Sequence, residues 1–135
     1  MIDCENIIYT NIVNALTTKY GSGAINVTSV YQNAPASFPS VSIIQEDNVI
    51  AEDTVDSGGI ENAVDILFEV NVYVNSKSNK KGLCKEIFGV VDGCFVELGF
   101  YRTYAKPIPN EDESIYRMLG RFTAKIDKNY NISRR

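Results

Sequence analysis

Between Val64 and Val74 the chain alternates: Val64, Ile66, Phe68, Val70, Val72 and Val74 are separated by residues that include Asp65, Glu69 and Asn71. A period of two with β-branched residues on one parity is the pattern of a sheet strand with one face in a core. Burying those six side chains contributes roughly 1.5–3 kcal/mol each, an upper bound because an unfolded chain already hides some of that area. The chain must therefore build a sheet around this strand and supply something apolar to cover it. The cover follows directly. From Lys80 to Leu98, the residues Leu83, Ile87, Val90, Val91, Cys94, Phe95 and Leu98 form one stripe on a helical wheel, with Lys85, Glu86, Asp92 and Glu97 elsewhere. Gly89 and Gly93 lie on the polar side, and each costs about 1 kcal/mol relative to alanine in a helix interior. They read either as a place where another backbone approaches or as tolerated surface glycines.

Other elements are placed around this pair. Asp3 suits an N-cap, and Cys4, Ile8, Ile12, Ala15 and Leu16 share one side of a helix over residues 4–19 that Gly21 can end. Strands are expected at Ala24–Tyr31 and, after Asn33-Ala34-Pro35, at Phe38–Gln45. The acidic, glycine-containing stretch Glu46–Asn62 reads as a projecting hairpin or loop, with Val49-Ile50 as a short apolar piece inside it. Asn75-Ser76-Lys77-Ser78-Asn79 breaks the long strand and caps the second helix, and Gly99 closes that helix. A strand follows at Phe100–Lys106, Pro107-Ile108-Pro109-Asn110 turns the chain, and a last strand comes after it. Tyr116, Met118, Gly120, Phe122, Ala124 and Ile126 share one face of that strand; Ile115, Arg117, Leu119, Arg121, Thr123 and Lys125 share the other. A face mixing aliphatic residues with arginine suits a protein interface as well as a solvated surface.

The order α-β-β-β-α-β-β describes a single α+β domain over residues 1–135, with a mixed five-stranded sheet and two helices on one face. If the long strand and the next one are parallel neighbours, the second helix is a right-handed crossover.

Composition narrows the function. The chain has 135 residues, a net charge of −4 and no histidine. Sequence-reading of nucleic acid is disfavoured, because counterion release needs a basic patch. Without histidine the commonest general base and every Ser-His or Cys-His pair are missing. Cys84 and Cys94, on one helix, are about 15 Å apart in rise and cannot pair with each other. Cys4, Cys84 and Cys94 thus read as reduced core residues, too few for a zinc site. Glu46, Asp47, Glu52, Asp53 and Asp56 could hold a hard cation, but Asp53–Gly58 lacks the alternating oxygens of a calcium loop. Ser57-Gly58-Gly59 has no lysine for a phosphate loop. No metal, cofactor or catalytic residue is assigned. The start of the chain lacks the basic and apolar regions of a signal peptide, and no apolar run reaches membrane-span length, so a cytoplasmic, soluble product with no membrane partner is expected.

Four peptides carry a resemblance: Val72-Tyr73-Val74-Asn75-Ser76-Lys77, Leu98-Gly99-Phe100-Tyr101-Arg102-Thr103, Pro107-Ile108-Pro109-Asn110 and Ile115-Tyr116-Arg117-Met118-Leu119-Gly120-Arg121-Phe122. Together they resemble small tail-completion proteins of phages and prophages of Gram-positive bacteria, the tail terminators above all. The likeness covers roughly residues 64–135, and the first half by element order. It implies a non-enzymatic virion protein of the tail-neck region, assembled in the host cytoplasm. Six copies would form a ring that caps the tail tube, stops its polymerisation and offers a surface to the neck or connector protein. Genomic DNA would pass through the ring without sequence recognition.

The candidate contact residues are Glu46, Asp47, Val49, Ile50, Glu52, Asp53 and Asp56 in the acidic stretch, and Ile115, Arg117, Leu119, Arg121 and Lys125 on the last strand. Head-to-tail packing could set the cations of one subunit against the carboxylates of the next. Another head-tail neck protein is an alternative, as is a small metal-dependent enzyme or ligand-binding domain.

Overall fold

The computed structural model describes residues 3–30, 35, 37–50, 63–109, 112–130 and 132–133. The elements are α1 (Glu5–Tyr20), β1 (Asn26–Thr28), β2 (Ser40–Ile50), β3 (Ala63–Val74), α2 (Lys80–Glu97), β4 (Tyr101–Ile108), β5 (Tyr116–Asp127) and β6 (Ile132–Ser133). The sheet order is β1-β2-β3-β5-β4, and the two-residue β6, not expected from sequence, adds a sixth strand beside β5. β1 runs parallel to β2, and the other pairs are antiparallel.

The alternating segment becomes β3, in the middle of this order. Val64, Ile66, Phe68, Val70 and Val72 are fully buried on the helix side. Directly opposite them on β5 lie Ile126, Ala124, Phe122, Gly120 and Met118. Over this apolar surface sit Ile8, Ile12 and Leu16 of α1 and Cys84, Ile87, Phe88, Val91 and Phe95 of α2. Phe95 is the hub. Its ring stacks on Phe122 at 4.3 Å between centroids, meets Phe100 edge-on at 5.2 Å and lies 5.6 Å from Phe68. Offset and edge-to-face contacts of this kind add about 0.5–1.5 kcal/mol per pair beyond area burial.

Gly120 makes room for this packing, because a Cβ there would run into the ring of Phe88. Gly99 ends α2 at φ +100°, a conformation that suits a residue without a side chain, and donates its N–H to the Val96 carbonyl at 3.1 Å.

The structure corrects several expectations. α1 is capped at Cys4, because the Asp3 carboxylate reaches past it to accept the Glu5 N–H at 2.9 Å. β1 is three residues long, since the Thr28 hydroxyl takes the Val30 N–H at 3.2 Å and turns the backbone out of the ladder. Glu46–Ile50 belongs to β2, where it pairs with β3 up to Ile50–Val64 after a bulge between Gln45 and Asp47. The acidic composition suggests a loop there, but long-range pairing with β3 overrides local preference. The rest of the expected projection, including Glu52, Asp53 and Asp56, lies outside the described residues. Pro107 and Ile108 are in β4, whose position at the sheet edge tolerates a missing N–H. Finally, β3 and β4 are not neighbours. β5 lies between them, antiparallel to both, so α2 connects two strands of the same direction across an inserted third.

Candidate assembly surface

One sheet face is covered by helices, and the other carries most of the described candidate residues. On β5 the outward parity is Arg117, Leu119, Arg121, Thr123 and Lys125, opposite Tyr73, Asn71, Glu69, Leu67 and Asp65 of β3. On β2, Asp47 and Val49 lie opposite Leu67 and Asp65 and share that face. On β4, Tyr101, Tyr104, Lys106 and Ile108 lie opposite Thr123, Arg121, Leu119 and Arg117. Ile115 is half-buried just before β5, and Glu46 is an exposed residue at the β2 bulge. The backbone of Ile50 pairs with Val64.

The face is electrically divided. Asp47, Asp65 and Glu69 stand on β2 and β3, while Arg117, Arg121, Lys125 and Lys106 stand on β5 and β4. The arginines already have partners within the subunit. Arg121 Nε lies 3.5 Å from Glu69 Oε2, with its guanidinium 5.6 Å from the Tyr104 ring centroid. Arg117 Nε donates to Asn71 Oδ1 at 2.9 Å, and its guanidinium lies 5.4 Å from the Tyr73 ring centroid. Asn71 is 2% exposed, so this bond satisfies a buried amide. Arg117 and Arg121 therefore brace the sheet of their own chain. A shallow hollow of about 280 Å³ opens on the same face, lined by residues that include Asp47, Val49, Leu67, Thr103 and Thr123.

Tyr73, Tyr104, Lys106 and Glu69 are the participants that sequence reasoning missed. Their signal is parity: in β3, Glu69 and Tyr73 alternate with the core residues. Which β5 residue each would face depends on register, and that is not a local property of sequence.

Cys4 and Cys84 are core groups, and Cys94 is half-buried against the core. Burial pushes Cys4 and Cys84 up to about 12, and burial with the nearby Glu97 raises Cys94. All three stay protonated near neutral pH and are poor nucleophiles. Among the described residues, no three histidine, cysteine, aspartate or glutamate side chains converge as metal ligands. No helix among those residues is long and apolar enough to cross a membrane.

On the opposite side of the molecule, Gly89 and Gly93 of α2 are exposed, and a Cβ at either meets nothing within 4 Å. No backbone of the described chain approaches them. Alanine at either position should raise subunit stability by up to about 1 kcal/mol through helix propensity. Gly120→Ala, driven into the Phe88 ring, should lower it by about 1–3 kcal/mol. Denaturant unfolding of the three variants checks the opposite signs; destabilisation by all three would mean that α2 packs differently.

No protein-family model matches the sequence, and no curated protein sequence matches it significantly. The fold does match solved structures. A chain from the virion of a native gene transfer agent particle superposes with a TM-score of 0.62, covering 89% of this chain and 91% of that one at 16% identity. At that identity the shared property is the fold.

Proposed function

We propose that this chain is a structural subunit of a phage-like virion, a tail terminator whose copies close into a six-membered ring on the finished tail tube. The observation that carries the reading is the fold shared, along nearly the full length of both chains, with a component of a gene transfer agent virion. The tail-terminator peptides identified in the sequence point the same way. Their residues include Tyr73 and Arg117, which meet across β3 and β5, and Tyr101 and Arg102 at the start of β4.

In this reading the subunit performs no catalysis. Its task is geometric: a ring ends the tube, blocks further addition of tube subunits, presents a surface to the neck or connector protein and leaves a passage for DNA. The divided outer face suits heterologous packing, in which unlike patches of successive copies meet and the rotation closes. Charge on such a face sets orientation and register more than affinity. Assembly would take place in the host cytoplasm.

The test is to add purified protein to tail tubes and image the tube ends. Rings on the ends support the reading. A ring found on the head connector instead assigns the chain to another level of the neck.

A further inference from the structure

On β4 the outward side chains Tyr104 and Lys106 stand opposite Arg121 and Leu119 of β5. The Lys106 ammonium lies 5.7 Å from the Tyr104 ring centroid, and the Arg121 guanidinium lies 5.6 Å from the same centroid. Two cations therefore share one ring. Arg121 is met inside the subunit by the Glu69 carboxylate, and Arg117 by the Asn71 amide. Lys106 is different, because a ring face attracts an ammonium without cancelling its charge. It is an exposed cation restrained beside a tyrosine that is itself 37% exposed. A tyrosine with a restrained cation suits a protein contact, since little side-chain freedom is lost when a partner arrives.

The opposite chemistry stands on β2. Glu46 and Asp47 are exposed at its bulge, Val49 is 57% exposed, and Ser40–Ile50 carries no cation. Asp47 and Val49 share the outward face two residues apart, as do Lys106 and Tyr104, a spacing of about 7 Å in both cases. A carboxylate next to an aliphatic group on β2 thus matches an ammonium next to an aromatic ring on β4. Within one chain the two pairs cannot meet. β3 and β5 lie between them, so they are about 14 Å apart across the sheet, beyond the roughly 8 Å over which exposed charges act in physiological salt. A nucleic acid fits less well, because Asp47 and Glu69 stand on the same face and the chain has a net charge of −4.

We infer that Lys106 and Tyr104 of one copy dock on Asp47 and Val49 of the next, with Glu46 beside them at the bulge. The occupant of each patch is the other patch of a second copy. Such a contact joins unlike surfaces from opposite flanks of the sheet, so it is heterologous and generates a ring where its rotation closes. The inference rests on the ring reading and specifies its contact. It also redirects the charge pairing expected from sequence: the cation that meets Glu46 and Asp47 is Lys106, while Arg117 and Arg121 keep their partners within the subunit.

Matched charge reversal tests it. One batch of protein carries Lys106→Glu, and a second carries Glu46→Lys with Asp47→Lys. Each is added to tail tubes at low salt, alone and mixed in equal amounts, and capped ends are counted by negative stain. Circular dichroism verifies the fold of each, and Lys85→Glu, on the exposed side of α2, controls for the change in net charge made by Lys106→Glu. Either batch alone sets like charges together at every contact, so capping half the ends should take roughly ten-fold more protein than wild type. In the mixture, alternating copies restore opposite charges at every contact, and capping should return to the wild-type level. Lys85→Glu should cap as wild type does. Wild-type capping by either batch alone would overturn the inference while leaving the ring reading intact. Defective capping that the mixture does not restore would show the two patches meeting different partners and would also overturn it. Binding of double-stranded DNA by the wild type that Lys106→Glu abolishes would assign the patch to nucleic acid instead. Absence of rings from the wild-type protein would overturn the ring reading and the contact together.

Discussion

Replacing Phe95 by alanine should lower the unfolding free energy by about 3–5 kcal/mol, the range for deleting a buried phenylalanine. The expectation follows from its place in the core. Phe95 is fully buried, and its ring touches those of Phe68 on β3, Phe100 just before β4, and Phe122 on β5. Removing it opens a cavity between α2 and the strands it covers. A domain has only about 5–15 kcal/mol in total, so the variant should be partly unfolded at physiological temperature. Phe95→Leu, which keeps much of the volume, should cost less. Lys85→Ala, on the exposed side of α2, should stay within about 0.5 kcal/mol. Chemical denaturation of the three proteins checks the ranking. A Phe95→Ala midpoint equal to that of Lys85→Ala would mean that the aromatic cluster does not hold the helix to the sheet.

Deleting the coding sequence in a strain that produces the particle should give tails of uncontrolled length or tails without heads. A tube made of repeating subunits presents the same growing end after every addition, so length control needs a different protein to occupy that end. A closed ring does this as a unit, and its loss is therefore all-or-none, unlike the graded effects of surface substitutions. Electron microscopy of lysates provides the readout, with complementation by the intact chain as the control. Tails of normal length joined to heads in the deletion strain would contradict a terminator role.

Much of the architecture was legible in local patterns. The period of two in β3 and the stripe from Leu83 to Leu98 in α2 both arise from burial on one side: the structure buries Val64, Ile66, Phe68, Val70, Val72, Val74, Ile87, Val91 and Phe95, leaves Leu83, Val90, Cys94 and Leu98 half-buried at the margin, and adds Cys84 and Phe88, which the stripe left out. The two faces of β5 were readable for the same reason: parity alone separates Phe122 from Arg121. Strand order was not readable, because placing β5 between β3 and β4 is decided by pairing between residues far apart in the chain. The same limit hid the partners of Arg117 and Arg121. Their charge and their shared face are visible in sequence, but Asn71 and Glu69 become their neighbours only through the β3–β5 register. The error at Glu46–Ile50 came from reading polar composition as loop. A strand with one solvated face can be acidic and still complete a ladder. Glu52, Asp53 and Asp56 stay candidates for contact with a neighbour on sequence grounds alone.

The account depends most on one assembly state: copies of this chain closed into a ring at the end of a tail tube. The direct measurement is negative-stain imaging of tail tubes incubated with the purified protein, with averages taken down the tube axis. The expected result is a six-fold ring capping one end of the tubes and no further tube growth when fresh tube subunits are added. Bare tube ends that continue to grow beside a folded, monomeric protein would contradict it.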